Sequence, residues 1–129
     1  MVIVTGSIEA RPDTIDRIVE LGLAHVRRSR LEPGCLLHSI HRDVENELRV
    51  VFIEQWADMD ALKAHFGVPE SEAFVREATT LASRPPAMSI FAAEVAKVGE
   101  VGEVGEVGEV GDRAKGRRTT DRARAGPCC

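Results

Sequence analysis

The chain of 129 residues has no tyrosine, a single tryptophan and four phenylalanines, so any aromatic chemistry rests on few side chains. Its apolar runs are short, and none approaches the roughly 20 residues that a membrane-spanning helix requires. Met1 to Gly6 shows no basic leader followed by an apolar stretch and a cleavage site, so no signal peptide is expected and a cytoplasmic location is the default. Three cysteines, two of them adjacent at Cys128-Cys129, make no disulfide framework. Positive charge is not in excess: 17 basic against 21 acidic residues leave a net charge of −4, which argues against nucleic-acid binding. Phosphate-binding loops, dinucleotide fingerprints, zinc-type spacings and nucleophile elbows are missing. The histidines His25, His38, His41 and His65 form no ligand pair by spacing. His38 and His41, three apart in an extended segment, face opposite ways and cannot share an ion, so no metal site is expected.

Composition divides the chain near residue 97. Residues 97–129 contain four Val-Gly-Glu repeats from Val98, then an arginine-rich stretch from Arg113 to Arg124. Glycine at every third position disfavours helix, and so short a period supplies no apolar face, so this tail is expected to be disordered. Residues 1–96 carry the regular patterns and are expected to form the one domain.

Within that domain, Val2 to Ala10 is a β-branched run ending at Arg11-Pro12, the pattern of a strand before a helix. Asp13 is placed to cap the helix, and Ile15, Ile18, Val19, Gly22 and Val26 form one apolar stripe. Pro33-Gly34 ends it. Cys35–Asp43 and Glu47–Trp56 alternate across a short turn and predict a β-hairpin. The second of these strands is apolar on both faces. One face meets helices, and the other is expected to meet another copy of the sheet. Asp58 caps a short helix with Met59, Leu62 and Phe66. Pro69 opens another with Phe74, Ala78 and Leu81 on one stripe, and Met88–Val95 reads as the last strand. The order β-α-β-β-α-β predicts an α+β, ferredoxin-like fold.

Chemistry concentrates at Glu54-Gln55-Trp56, on the end of a central strand. Glu54 and Trp56 share a face by the two-residue period. If that face looks toward helices, the carboxylate has a raised pKa suited to a general base. The indole can donate to an oxyanion or pack on an aromatic ligand. His65, near the apolar stripe of the short helix, is the second candidate base. His38 faces either a cavity or a subunit interface, and Cys35 is expected to be a buried, unreactive thiol.

Glu32-Pro33-Gly34-Cys35-Leu36, Phe52 to Asp58, Ala64-His65-Phe66 and Ser71-Glu72-Ala73-Phe74, together with the first strand and Ala10-Arg11-Pro12, resemble the antibiotic biosynthesis monooxygenase domain over about residues 1–95. The resemblance implies a homodimeric α+β barrel, with a pocket in each protomer between sheet and helices. It also implies a cofactor-free monooxygenase, using neither metal nor flavin, in which O₂ attacks a deprotonated quinol or polycyclic phenol. In that frame Trp56 matches the tryptophan implicated in several members, and Phe52, Phe66, Phe74 and Phe91 are candidates for the pocket wall, with His38. Departures from the haem-degrading members are clear: the first strand has no asparagine, and no histidine follows Phe66. Two other functions fit the same residues, a cofactor-free isomerase or lyase acting on a small metabolite and a non-catalytic dimer that binds aromatic ligands.

Overall fold

The structure, a computed structural model, describes residues 1–97. Nearly all of the repeat and arginine-rich tail, from residue 98, lies outside the described residues, and so does the disorder expected of it. The elements run β1 (Val2–Glu9), α1 (Ile15–Ser29), β2 (Cys35–Asp43), β3 (Asn46–Trp56), α2 (Met59–Phe66), α3 (Pro69–Leu81) and β4 (Ala87–Ala92). The four strands form one antiparallel sheet in the order β2-β3-β1-β4. This is the α+β, ferredoxin-like arrangement, with the second helical segment broken into α2 and α3.

Strand alternation decides what faces what. Val2, Val4 and Ile8 of β1 and Val50, Phe52, Glu54 and Trp56 of β3 are buried on one face. The α1 stripe packs there through Ile15, Ile18 and Val26. Gly22 belongs to the same stripe, and a Cβ on it would stand 2.5 Å from Ile40 Cδ1, so glycine lets the helix lie close to the sheet. Asp13 does not cap α1. Thr14 occupies that position, and its hydroxyl accepts from the Arg11 N–H (2.9 Å) and donates to the Leu81 carbonyl (2.7 Å), which ties the start of α1 to the end of α3. Asp58 caps α2 as expected, accepting from the Ala61 N–H at 2.8 Å. Pro69 opens α3.

The turn before β2 is held by Gly34, whose φ of +80° is a left-handed conformation. An added Cβ would also come within 2.6 Å of Ala61 Cβ. Gly34→Ala is therefore expected to cost at least about 1–2 kcal/mol for the backbone conformation alone, plus the clash. Urea unfolding checks this. Adding Ala61→Gly should recover the clash portion and leave the conformational portion.

Among the described residues no helix covers the opposite face of the sheet. Ile3, Leu37, Val51, Ile53 and Phe91 share it by register, and Leu37, Ile53 and Phe91 are 38%, 37% and 52% exposed.

Candidate active site

Two apolar clusters fill the helix-covered side. One holds Ile8, Ile15, Ile18, Val26, Val50 and Phe52, and the other Val2, Val4, Trp56 and Leu62. His38 and Glu54 are cross-strand partners at this level, and the row continues through the apolar Val4. Above it lie His25 from α1 and His65 from α2. All four ionisable side chains, His25, His38, Glu54 and His65, are buried.

A cavity of about 640 Å³ opens between α3 and the β1–β4 side of the sheet. Helices leave this edge uncovered: Met88 and Ile90, on the helix-side face of β4, stay 57% and 42% exposed. Apolar side chains make up most of the wall, including Phe52, Phe66 and Phe74, while its polar groups are His25, Glu54 and His65 together with Ser7 of β1 and Ser71, Glu72, Arg76 and Thr79 of α3. Such a volume suits a small or polycyclic aromatic molecule.

His65 is the best-anchored group. Its Nδ1 lies 2.9 Å from Glu32 Oε2 and 3.2 Å from Oε1. A carboxylate only accepts, so Nδ1 carries the hydrogen and Nε2 keeps the lone pair. Glu32 reaches it from the Glu32-Pro33-Gly34 turn, which the left-handed Gly34 shapes. The Trp56 indole lies 4.7 Å from the His65 ring, centroid to centroid.

Glu54 faces the helices and lines the cavity, as the alternation of β3 predicts. Burial pushes its carboxyl above the ordinary carboxylate range, partly offset by a hydrogen bond from Trp56 and by the nearby His65. Trp56 itself is fully buried beneath α2 and donates Nε1–H to Glu54 Oε2 at 2.8 Å. Its one donor therefore goes to the carboxylate rather than to the cavity, and in this arrangement Trp56 positions Glu54.

His38 turns inward, only 1% exposed, and touches the other histidines and Trp56 rather than the cavity. Phe52 and Phe74 meet edge to face at the cavity wall, with centroids 5.8 Å apart. Phe66 borders it from the end of α2. Phe91 is not brought to this cavity, because its register partner Ile3 belongs to the bare face of the sheet.

Three of the histidines, unrelated by sequence spacing, are brought together by the fold. His25, His38 and His65 come from α1, β2 and α2, and their ligand atoms all lie within 4.8 Å of one another. Sequence spacing is blind to this, since each contributes from a different element. His25 was missed although it follows Ile18 and Gly22 on the buried stripe of α1. Its ring stacks on Phe74 at 4.2 Å, and its Nδ1 accepts from Arg28 at 2.8 Å. Burial, then the neighbouring histidines, then Arg28 push His25 down to about 3. Burial, His65 and the arginines push His38 to about 4. Both rings are neutral at pH 7.

A model of the antibiotic biosynthesis monooxygenase family matches residues 1–77. An uncharacterized protein of Synechocystis is 30% identical over 90 residues, which is 70% of this chain and 61% of that protein, so the chain spans about three-fifths of that curated relative. Among solved structures, one titled an antibiotic biosynthesis monooxygenase is 25% identical with a TM-score of 0.69, covering 74% of this chain and all of that one. A Deinococcus radiodurans protein, a candidate antibiotic biosynthesis monooxygenase by name, has a TM-score of 0.73 at 21% identity, covering 76% of this chain and 97% of its own. At that identity the likeness speaks for the fold.

Proposed function

The chain belongs to the antibiotic biosynthesis monooxygenase family, and we propose that it oxidises a quinol or polycyclic phenol with O₂ in the cavity described above. The observation that carries this reading is the His65–Glu32 pair at the wall of a mostly apolar cavity. His65 Nε2 takes the hydroxyl proton of the substrate, and Glu32 holds the ring in the right tautomer and steadies the imidazolium. Glu54 lies on the same wall, and its carboxylate, when ionised, would favour that imidazolium. The resulting carbanion-like anion gives its electrons to O₂. One oxygen atom enters the ring carbon and the other leaves as water with the two hydrogens lost, so that a phenol becomes the quinone and a quinol the hydroxyquinone. An apolar wall that excludes water favours the electron-rich anion's reaction with O₂ over reprotonation.

The test is oxygen uptake with reduced quinones and anthrone-type phenols, set against the autoxidation blank and repeated under anaerobic conditions. Uptake above the blank that stops without O₂ supports the reading. Substrate turnover that continues unchanged without O₂ overturns it in favour of isomerase or lyase chemistry.

The reading includes a homodimer joined through the bare sheet face. Ile3, Leu37, Val51, Ile53 and Phe91 support it, because Leu37, Ile53 and Phe91 are large apolar side chains left open to water and a grouped apolar patch of this kind marks an interaction surface. Ile53→Asp should convert a dimer into a monomer on light scattering after size exclusion. A wild-type chain that runs as a monomer contradicts this part.

A further inference from the structure

We propose that His25, His38 and His65 form a site for one divalent transition-metal cation of the zinc or cobalt class. Three imidazoles from three separate elements point their ligand atoms into one space less than 4.8 Å across. Their ring centroids form a nearly equilateral triangle, 5.2, 5.3 and 5.5 Å on a side. A tetrahedral cation with nitrogens at about 2.0–2.1 Å holds them about 3.3 Å apart, so modest side-chain rotations would close the site.

A second observation points the same way. His38 is 1% exposed, yet neither ring nitrogen has a hydrogen-bond partner among the described residues. Glu54 Oε1 stands 3.4 Å from His38 Nε2 but lacks hydrogen-bond geometry. A buried imidazole with two unsatisfied nitrogens carries a desolvation cost that a coordinated cation would relieve. His65 already has the outer partner typical of a metal-binding histidine, a carboxylate on its other nitrogen. Glu54 can serve as a fourth ligand or leave that position to the cavity, which His25 and His65 both border.

One neighbour opposes the cation. Arg28 donates to His25 Nδ1, and a metal on the other nitrogen requires the hydrogen at Nδ1. Arg28 must then give up that bond, and Ser71 Oγ, already 3.3 Å from the same guanidinium nitrogen, can receive it instead. The positive guanidinium also weakens the site, which favours a cation held reversibly over a permanent structural one.

Occupancy has a consequence that rests on the proposed function. His65 Nε2 cannot be both ligand and base, so the cation-bound protein has no free base and the cation acts as an inhibitor of the O₂ reaction.

The experiment titrates the full chain, stripped with a chelator, with Co²⁺ by visible absorption and with Zn²⁺ by calorimetry. Cys128→Ser/Cys129→Ser serves as the background, because terminal thiols bind soft metals on their own. We expect one cation per chain with tetrahedral Co²⁺ bands, unaffected by changing the exposed His41 to Ala. Affinity should fall at least about 100-fold in His38→Gln and in His25→Gln, and about 10–100-fold in Glu32→Gln, which keeps all three ligands. Circular dichroism shows whether each variant is folded, and Glu32→Gln keeps the test open if a histidine variant is not. No saturable binding to the wild-type chain, or equal affinity in folded His38→Gln and His25→Gln, overturns the site. Because binding is read directly, a failure to find any oxidisable substrate would remove the inhibitory consequence while leaving the site standing.

Discussion

Replacing His65 with glutamine is expected to lower the turnover of a quinol or phenol substrate by about 10²–10⁴-fold, the usual contribution of a positioned general base. Glutamine is close in size to histidine and can still bond Glu32, so the cavity is expected to keep its shape while losing the basic nitrogen. Binding should therefore change much less than kcat. Glu32→Gln separates the two parts of the pair. It leaves the imidazole in place but removes the charge that fixes its tautomer, so kcat should fall by less than in His65→Gln, and the two losses should not add. Steady-state kinetics with one substrate across wild type, both single variants and the double variant measure this directly. Full additivity would mean that Glu32 and His65 act separately.

Trp56 carries the second large effect, and this one is on stability. Its indole is fully buried in the cluster with Val2, Val4 and Leu62, and truncation to alanine is expected to cost about 3–5 kcal/mol. Trp56→Phe keeps most of the apolar volume and removes the one donor to Glu54 Oε2. A buried carboxylate left without its donor should cost about 1–3 kcal/mol. The Trp56→Phe/Glu54→Leu double variant tests whether the hydrogen bond is the cause. With no carboxylate left to satisfy, it should recover most of the stability lost in Trp56→Phe, as read from urea midpoints. A double variant that is merely the sum of two losses would show that Trp56 acts through packing alone.

Much of this architecture was legible in the residues. The alternation of β3 placed Glu54 and Trp56 on one face, and that face meets the helices. The caps at Asp58 and Pro69 and the break between α2 and α3 follow from local chemistry that needs no tertiary context. Asp13 illustrates the limit. Thr14 occupies the N-cap position without a side-chain cap bond, and its hydroxyl proton goes to the carbonyl of Leu81, 67 residues away, a partner that no local pattern announces.

The site was legible only in part for the same reason. Glu32 stood in a turn whose glycine and proline drew attention to backbone conformation, and its side chain gains meaning only when α2 brings His65 to 2.9 Å. His25 sits one residue before Val26 of the apolar stripe, and the stripe says nothing of the side chains from β2 and α2 that meet it. His38 left two faces open, and the β2–β3 register, which passes a bulge between Cys35 and Leu37, turned it inward. Phe91 needed the β1–β4 register before it could be assigned to the bare face.

The most direct measurement on the central claim is the isotopic fate of O₂ in a single turnover of a reduced quinone or anthrone-type phenol under ¹⁸O₂, with chelator present. The account predicts that one labelled atom enters the product and the other appears as water, with both signals lost in His65→Gln. A product formed at the wild-type rate without label, or formed equally well without O₂, would contradict it.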